Sequence, residues 1–154
     1  CQGTLTMRHG NNCTAMGNYF VGNGMNGTGG IRLIGEGHTV ERNYLEGLAG
    51  TGYRSAICLV RGQQDALLSG YWQVKDAKVR YNTVVDCKYG LNVNYASSGS
   101  DQVLPVVSTL IEGNTVSALS SGYAVDCAAS PVQYSPSAAA CESFSARTGT
   151  STSL

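Results

Sequence analysis

Apolar and polar positions alternate over short runs of this chain, and the runs repeat. In Leu5-Thr6-Met7-Arg8 the alternation predicts Leu5 and Met7 facing inward with Thr6 and Arg8 outward. In Gly30-Ile31-Arg32-Leu33 it predicts Ile31 and Leu33 inward with Arg32 outward. Each run leads through a Gly or Asn turn to a second short strand and then to an Asn followed by Tyr or Thr and an apolar residue. Four copies occur: Gly17-Asn18-Tyr19-Phe20, Arg42-Asn43-Tyr44-Leu45, Tyr81-Asn82-Thr83-Val84 and Gly113-Asn114-Thr115-Val116, with asparagines 25, 39 and 32 positions apart. Roughly two dozen residues make one bare rung of a β-solenoid, so the first interval is a rung and the others are rungs carrying loops. One rung cannot bury its own apolar face, whereas stacked rungs form a continuous core. The expected fold is therefore all-β: a right-handed parallel β-helix, incomplete, over residues 1–127.

Within that fold the recurring asparagines are expected at bends, tolerating left-handed backbone and hydrogen-bonding to one another between rungs, with no chemistry assigned to Asn18, Asn43, Asn82 or Asn114. Arg8 and Arg32 are 24 positions apart, one fewer than the asparagine interval. Burying an unpaired guanidinium is costly, so the preferred register places both arginines outside on neighbouring strands, roughly 5 Å apart, with a turn absorbing the odd residue. Residues 49–53 and 61–71 read as loops flanking a strand over Ser55 to Val60 and building a groove on one side. Residues 97–103 read as a polar, mobile loop. The repeat stops near residue 128, and residues 128–154, rich in Ser, Ala and Thr, are expected to be a disordered or non-native tail.

Composition supports the β assignment: 20 glycines and 13% charged residues, with few helix-building side chains. A net charge of zero gives no ground for a nucleic-acid partner, and no apolar stretch is of membrane-spanning length. The distribution says more. Residues 1–61 hold Arg8, Arg32, Arg42, Arg54 and Arg61 against three glutamates, so arginine is their sole basic residue type. Its planar fork suits carboxylate or sulfate. Cysteines at 1, 13, 58, 87, 127 and 141 show no CxxC spacing, which argues against zinc, and Cys13, Cys58 and Cys87 are expected as small buried side chains of an interior stack. A chain that opens at Cys1 directly into a strand-like run is expected to be part of a longer polypeptide.

The runs Gly3-Thr4-Leu5-Thr6-Met7-Arg8-His9-Gly10, Gly17-Asn18-Tyr19-Phe20-Val21-Gly22, Gly29-Gly30-Ile31-Arg32-Leu33-Ile34-Gly35 and Asn43-Tyr44-Leu45-Glu46-Gly47 together resemble the central rungs of polysaccharide lyase family 6, the alginate lyases and chondroitinase B. The resemblance is strongest over residues 1–62 and fades by 126. It implies β-elimination on a uronate-containing polysaccharide. Alginate is favoured over dermatan sulfate, because Gly-Gly-Ile-Arg-Leu-Ile-Gly is closer to the alginate-cleaving members. It further implies Arg8 as the catalytic acid, His9 lining the sugar site and Arg32 binding a substrate carboxylate, in a secreted or periplasmic enzyme. Tyr53 and Arg54, at the mouth of a loop, are candidate sugar contacts by stacking and charge. Family members use a calcium ion and a lysine base. Neither the Glu-x-Glu calcium ligands nor a lysine before Lys75 occurs here, so no metal ligand is assigned and weak activity at most is expected. A glycoside hydrolase would need two facing carboxylates that the early rungs lack. The alternative from another class is a non-catalytic β-helical module that binds anionic polysaccharide.

Overall fold

A computed structural model of the chain describes residues 5–117, 125–127 and 152–153. Short strands wind through three parallel sheets. Sheet A stacks β1 (Leu5–Met7), β4 (Ile31–Leu33), β7 (Ile57–Val60), β10 (Leu91–Tyr95) and β13 (Val125–Cys127). Sheet B stacks β2 (Thr14–Met16), β5 (Thr39–Glu41), β8 (Lys78–Arg80) and β11 (Leu110–Glu112), and sheet C stacks β3 (Tyr19–Val21), β6 (Tyr44–Glu46), β9 (Thr83–Val85) and β12 (Thr115–Ser117). β14 (Thr152–Ser153) joins sheet C antiparallel to β12. The remainder of the tail predicted over 128–154 lies outside the described residues. The chain is thus a parallel β-helix, and no described helix is long and apolar enough to cross a membrane.

Register makes the core. Ile31 pairs with Ile57 and Ile57 with Leu91, while Leu33 pairs with Leu59 and Leu59 with Val93. Val40 pairs with Val79 in sheet B, and Leu45, Val84 and Val116 follow one another in sheet C. All of these side chains are buried. Like side chains on successive rungs give a column with no gap for water, each worth about 1.5–3 kcal/mol of transfer free energy. The rungs are closely nested: a Cβ on Gly30 would lie 2.1 Å from Ala56 O and 2.6 Å from Leu45 Cδ2, so only glycine fits there. Leu5, expected inside, is 43% exposed because β1 stands at the end of its sheet.

The corner between sheets B and C carries the asparagine ladder. Asn18 Nδ2 donates to Asn43 Oδ1 (2.9 Å), Asn43 Nδ2 to Asn82 Oδ1 (2.9 Å) and Asn82 Nδ2 to Asn114 Oδ1 (2.8 Å). Each acceptor oxygen also takes the backbone N–H of the asparagine before it in the stack, at 3.0 Å. One expectation needs correction. The left-handed residue is not the asparagine but the one preceding it: Gly17, Arg42, Tyr81 and Gly113 have φ of 66°, 52°, 55° and 60°. Those residues turn the chain, and the asparagine, past the bend, is free to aim its amide along the stack.

The register of sheet A also departs from expectation. Leu5 pairs with Ile31 and Thr6 with Arg32, an offset of 26 rather than 24. Sheets B and C keep offsets of 25, Thr14 to Thr39 and Tyr19 to Tyr44. The additional residue lies in the turn from sheet A to sheet B, which runs over 8–13 in the first rung and 34–38 in the second. Arg8 therefore lies beyond the end of β1, two positions past Thr6, and not directly opposite Arg32.

Candidate active site

The outward positions of sheet A form a column, Thr6, Arg32, Cys58 and Asn92. Two excursions cover it. The first runs from Ala49 into a single 3-10 turn, η1 (Gly52–Arg54), and the second spans residues 61–73. Their tyrosines reach over the sheet and organise the arginines. Arg8 lies over the ring of Tyr71, its carbon Cζ 4.9 Å from the centroid, and Arg32 lies over Tyr53 at 5.1 Å. Tyr53 and Tyr71 are themselves stacked, with centroids 5.7 Å apart and planes inclined by 26°. The result is a continuous array, Arg8, Tyr71, Tyr53, Arg32, in which two aromatic rings separate two guanidinium groups. Each cation–π contact contributes about 0.5–2 kcal/mol, and the rings lessen the repulsion that two adjacent cations would otherwise suffer.

Main-chain oxygens complete the positioning. Arg8 donates from Nη2 to Ser69 O, and Arg32 donates from Nε to Tyr53 O at 3.0 Å. Arg8 Nε is buried and makes no hydrogen bond. Behind the array, Tyr95 packs edge-on against Tyr53 with centroids 4.6 Å apart. The Tyr53 hydroxyl donates to Gln102 Oε1 and accepts from the Ser97 backbone N–H at 3.1 Å. Gln102 is buried and donates to Arg61 O at 3.0 Å, while Gln63 Nε2 binds the Asp101 carboxylate at 2.8 and 2.9 Å. The 97–103 segment, expected as a mobile loop, is therefore tied to both excursions.

Beneath the tyrosines the outward side chains of sheet A are buried. Cys58 faces outward from sheet A, not into the interior stack as expected, yet the excursions leave it fully buried; burial pushes its thiol up to about 12, partly offset by Arg32. Burial also raises Tyr95, with Tyr53 and Cys58 adding to the effect. Asn92, next in the column, is buried with its Oδ1 unsatisfied, and its Nδ2 reaches Ser55 Oγ at 3.5 Å. Cys87 does belong to the buried interior, and Cys13 is half-buried.

The predicted site residues separate into two groups. Arg8, Arg32 and Tyr53 are brought together in the array. His9 is exposed on the turn after Arg8, and Arg54 is exposed at the end of η1; the array is built without them. His38 is fully buried: its Nδ1 accepts the Cys13 N–H at 3.2 Å and its Nε2 lies 2.9 Å from Ile34 O, so the two bonds place the ring proton on Nε2. Sequence reasoning missed Tyr71, Tyr95 and Gln102. The available signal was that Tyr71 closes an excursion already read as groove-forming, at the point where it rejoins the sheet.

The described residues do not assemble a calcium site. Among the described residues no three His, Cys, Asp or Glu side chains gather as a metal would require. Glu36 pairs with Lys75 at 2.5 Å, and Glu41 pairs with Arg42 at 2.5 Å and with Arg80 at 2.7 Å, so these carboxylates are already neutralised. Nor does a described strand of sheet A carry a lysine; Lys75, Lys78 and Lys88 lie elsewhere. The arrangement can bind and polarise an anionic oxygen, but it offers no lysine to remove a carbon-bound proton.

The sequence profile of a family described as Chondroitinase B matches residues 1–114. Among solved structures, a mutant of AlyGC, described as an alginate lyase of polysaccharide lyase family 6, is 33% identical over 73% of this chain and 15% of its own, with a TM-score of 0.68. The complex of alginate lyase AlyF-OU02 matches with a TM-score of 0.62 and 23% identity, covering 73% of this chain and 28% of the other, which supports the fold. The chain thus spans less than a third of the length of either. A search of curated proteins gives no match.

Proposed function

Since the chain belongs to the chondroitinase B family, polysaccharide lyase family 6, we propose that its arginine array binds a uronate-containing polysaccharide, alginate in preference to dermatan sulfate, for cleavage by β-elimination. The observation that carries this is the pairing of Arg8 and Arg32 through Tyr71 and Tyr53 on the outer face of sheet A. Elimination on a uronate removes the weakly acidic proton alpha to the carboxylate, forms a carbon–carbon double bond, breaks the bond to the glycosidic oxygen and returns a proton to that oxygen. Arg32 is suited to hold the carboxylate and lower its charge. Arg8 is suited to the departing oxygen, as a donor held by Ser69 O. His9, Tyr53 and Arg54 are proposed contacts for neighbouring sugars. Because such a polymer lies outside the cytoplasm, we place the protein in a secreted or periplasmic setting.

The absence of a lysine on any described strand of sheet A favours a second reading for this chain taken alone, a module that binds the polymer with little turnover. No step is assigned to calcium, since the described residues do not assemble a site for it. Isothermal titration with mannuronate and guluronate tetrasaccharides, together with ultraviolet detection of unsaturated uronate, separates these readings. Saturable binding that Arg8→Ala weakens about tenfold or more is expected, with product formation slow. Binding that Arg8→Ala and Arg32→Ala leave unchanged would defeat both.

A further inference from the structure

Two consecutive residues, Asp101 and Gln102, each hold one half of the arginine array. The turn before them is closed by the Ser100 N–H to Ser97 O bond at 3.1 Å, with Gly99 at φ 72°. The chain after them is tied to the base of the second excursion, where Gly62 and Leu104 exchange backbone bonds of 2.8 Å. On the Arg8 side, the Asp101 carboxylate accepts from Gln63 Nε2 at 2.8 and 2.9 Å, and Gln63 Oε1 accepts the Tyr71 N–H at 2.6 Å. The Gln63 N–H also donates to Tyr71 O at 2.7 Å, so Gln63 grips both main-chain groups of the residue whose ring supports Arg8. On the Arg32 side, Gln102 Oε1 accepts the hydroxyl of Tyr53, whose ring supports Arg32, and Gln102 Nε2 donates to Arg61 O at 3.0 Å.

Each residue thus reaches its arginine through a tyrosine. A guanidinium resting on a ring is placed only as well as the ring is, and these two rings come from separate excursions. Asp101 and Gln102 join the excursions across a single peptide unit, which fixes the separation of the two halves. The ties differ in setting. Gln102 is 3% exposed and its bonds are shielded, whereas Asp101 is exposed and its bonds compete with water. A segment that merely braced the loops would serve both arginines alike, but here the two chains of contact are distinct. We propose that Asp101 and Gln102 are positioning residues for uronate binding, Asp101 setting Arg8 and Gln102 setting Arg32. This rests on the uronate reading of the array and adds to it the element that spaces its two cations.

The test is a set of double-mutant cycles on the whole chain, with tetramannuronate affinity measured by isothermal titration. Asp101→Ala and Gln102→Ala should each weaken binding about fivefold, the effect of losing one hydrogen bond. In the Asp101→Ala chain, Arg8→Ala should cost only about twofold more while Arg32→Ala keeps its full effect, and in the Gln102→Ala chain the pattern should reverse. Asp101→Asn, which keeps an acceptor for Gln63, should restore most of the affinity. Because Gln102 is buried, Tyr53→Phe serves as a second variant: it keeps the ring, removes the hydroxyl that Gln102 holds, and should reproduce the Gln102→Ala pattern. A readout without ligand comes from nuclear magnetic resonance, since protons over a tyrosine ring are shifted upfield. Asp101→Ala should lessen that shift for Arg8, and Tyr53→Phe should alter it for Arg32 alone. Coupling of either variant to both arginines equally, coupling to neither, or arginine shifts that stay in place would each overturn the proposal. If the shifts respond as expected while Arg8→Ala and Arg32→Ala keep full affinity for tetramannuronate, the uronate reading fails and the positioning stands.

Discussion

The B–C corner and the outer face of sheet A both stack polar side chains from rung to rung, yet they resolve their polarity in opposite ways. At the corner each amide from Asn18 to Asn82 hands its donor to the next oxygen, and Asn43, Asn82 and Asn114 also donate to the carbonyls of Ala15, Val40 and Val79. Nothing there is left to recognise a ligand. On sheet A the column mixes Thr6, Arg32, Cys58 and Asn92, and its polar groups are met by tyrosines and loop carbonyls that come from distant sequence. Arg8 Nε and Asn92 Oδ1 remain unmatched. A closed ladder stabilises the solenoid, whereas a face completed by loops can exchange those partners for a substrate.

The widest gap between the two regions should appear in stability. Asn82 is the middle of the ladder, and Asn82→Ala removes its donors to Val40 O and Asn114 Oδ1 and orphans the buried N–H of Asn43. A loss of about 3–5 kcal/mol in urea unfolding is expected, because each unsatisfied buried group costs about 1–3 kcal/mol. Asn92→Ala, on the face that tolerates an unmatched oxygen, should cost only about 1 kcal/mol. Equal losses would break the comparison.

The solenoid was legible in the chain because its signals are local and repeat. Alternation in Leu5–Arg8 and Ile31–Leu33, and the four Asn motifs, each follow from the packing of one rung on the next. The backbone detail at the bends was not, since a positive φ at Arg42 or Tyr81 contradicts the ordinary preference of those residues and is imposed by the stacked turn. Nor was the register of the arginines legible. One residue more in turn 8–13 than in turn 34–38 shifts sheet A by one relative to sheets B and C, and nothing local marks it. Arg8 and Arg32 nonetheless belong to one array, because Tyr71 and Tyr53 stack between them. That bridge comes from excursions whose contacts span tens of residues, so Tyr71, Tyr95 and Gln102 could not be found by periodicity.

The bridge gives the next effect in size. Tyr71→Leu keeps much of the apolar volume but removes the ring on which Arg8 rests and which stacks on Tyr53. Affinity for tetramannuronate should fall about tenfold, equivalent to the loss of one cation–π and one stacking contact, while the urea midpoint moves little. Tyr71→Phe should restore binding, since the ring and not the hydroxyl orders the guanidinium. A Phe variant as weak as Leu would assign the effect to the hydroxyl and recast the array as a hydrogen-bonding one. Raising the salt concentration should weaken binding of the tetrasaccharide to the wild-type chain but leave the fold unaffected.

The smallest expected effect tests whether the layer between sheet A and its covering loops is dry. The Cys58 thiol is pushed from its ordinary value of 9.0 to about 12, chiefly by burial. In the unfolded chain the thiol ionises near its ordinary value, while the folded chain keeps it protonated. The associated stability is therefore intact below pH 9.0 and is lost progressively as the pH rises toward the folded value. Cys58→Ala should flatten part of the alkaline decline in unfolding free energy, leaving the portion due to Cys87, whose thiol burial raises to about 11. Below pH 9.0 the two stability profiles should run parallel. If they remain parallel above it, water reaches Cys58 beneath the tyrosines, and the face is an open one whose arginines need no loop movement to meet a sugar acid.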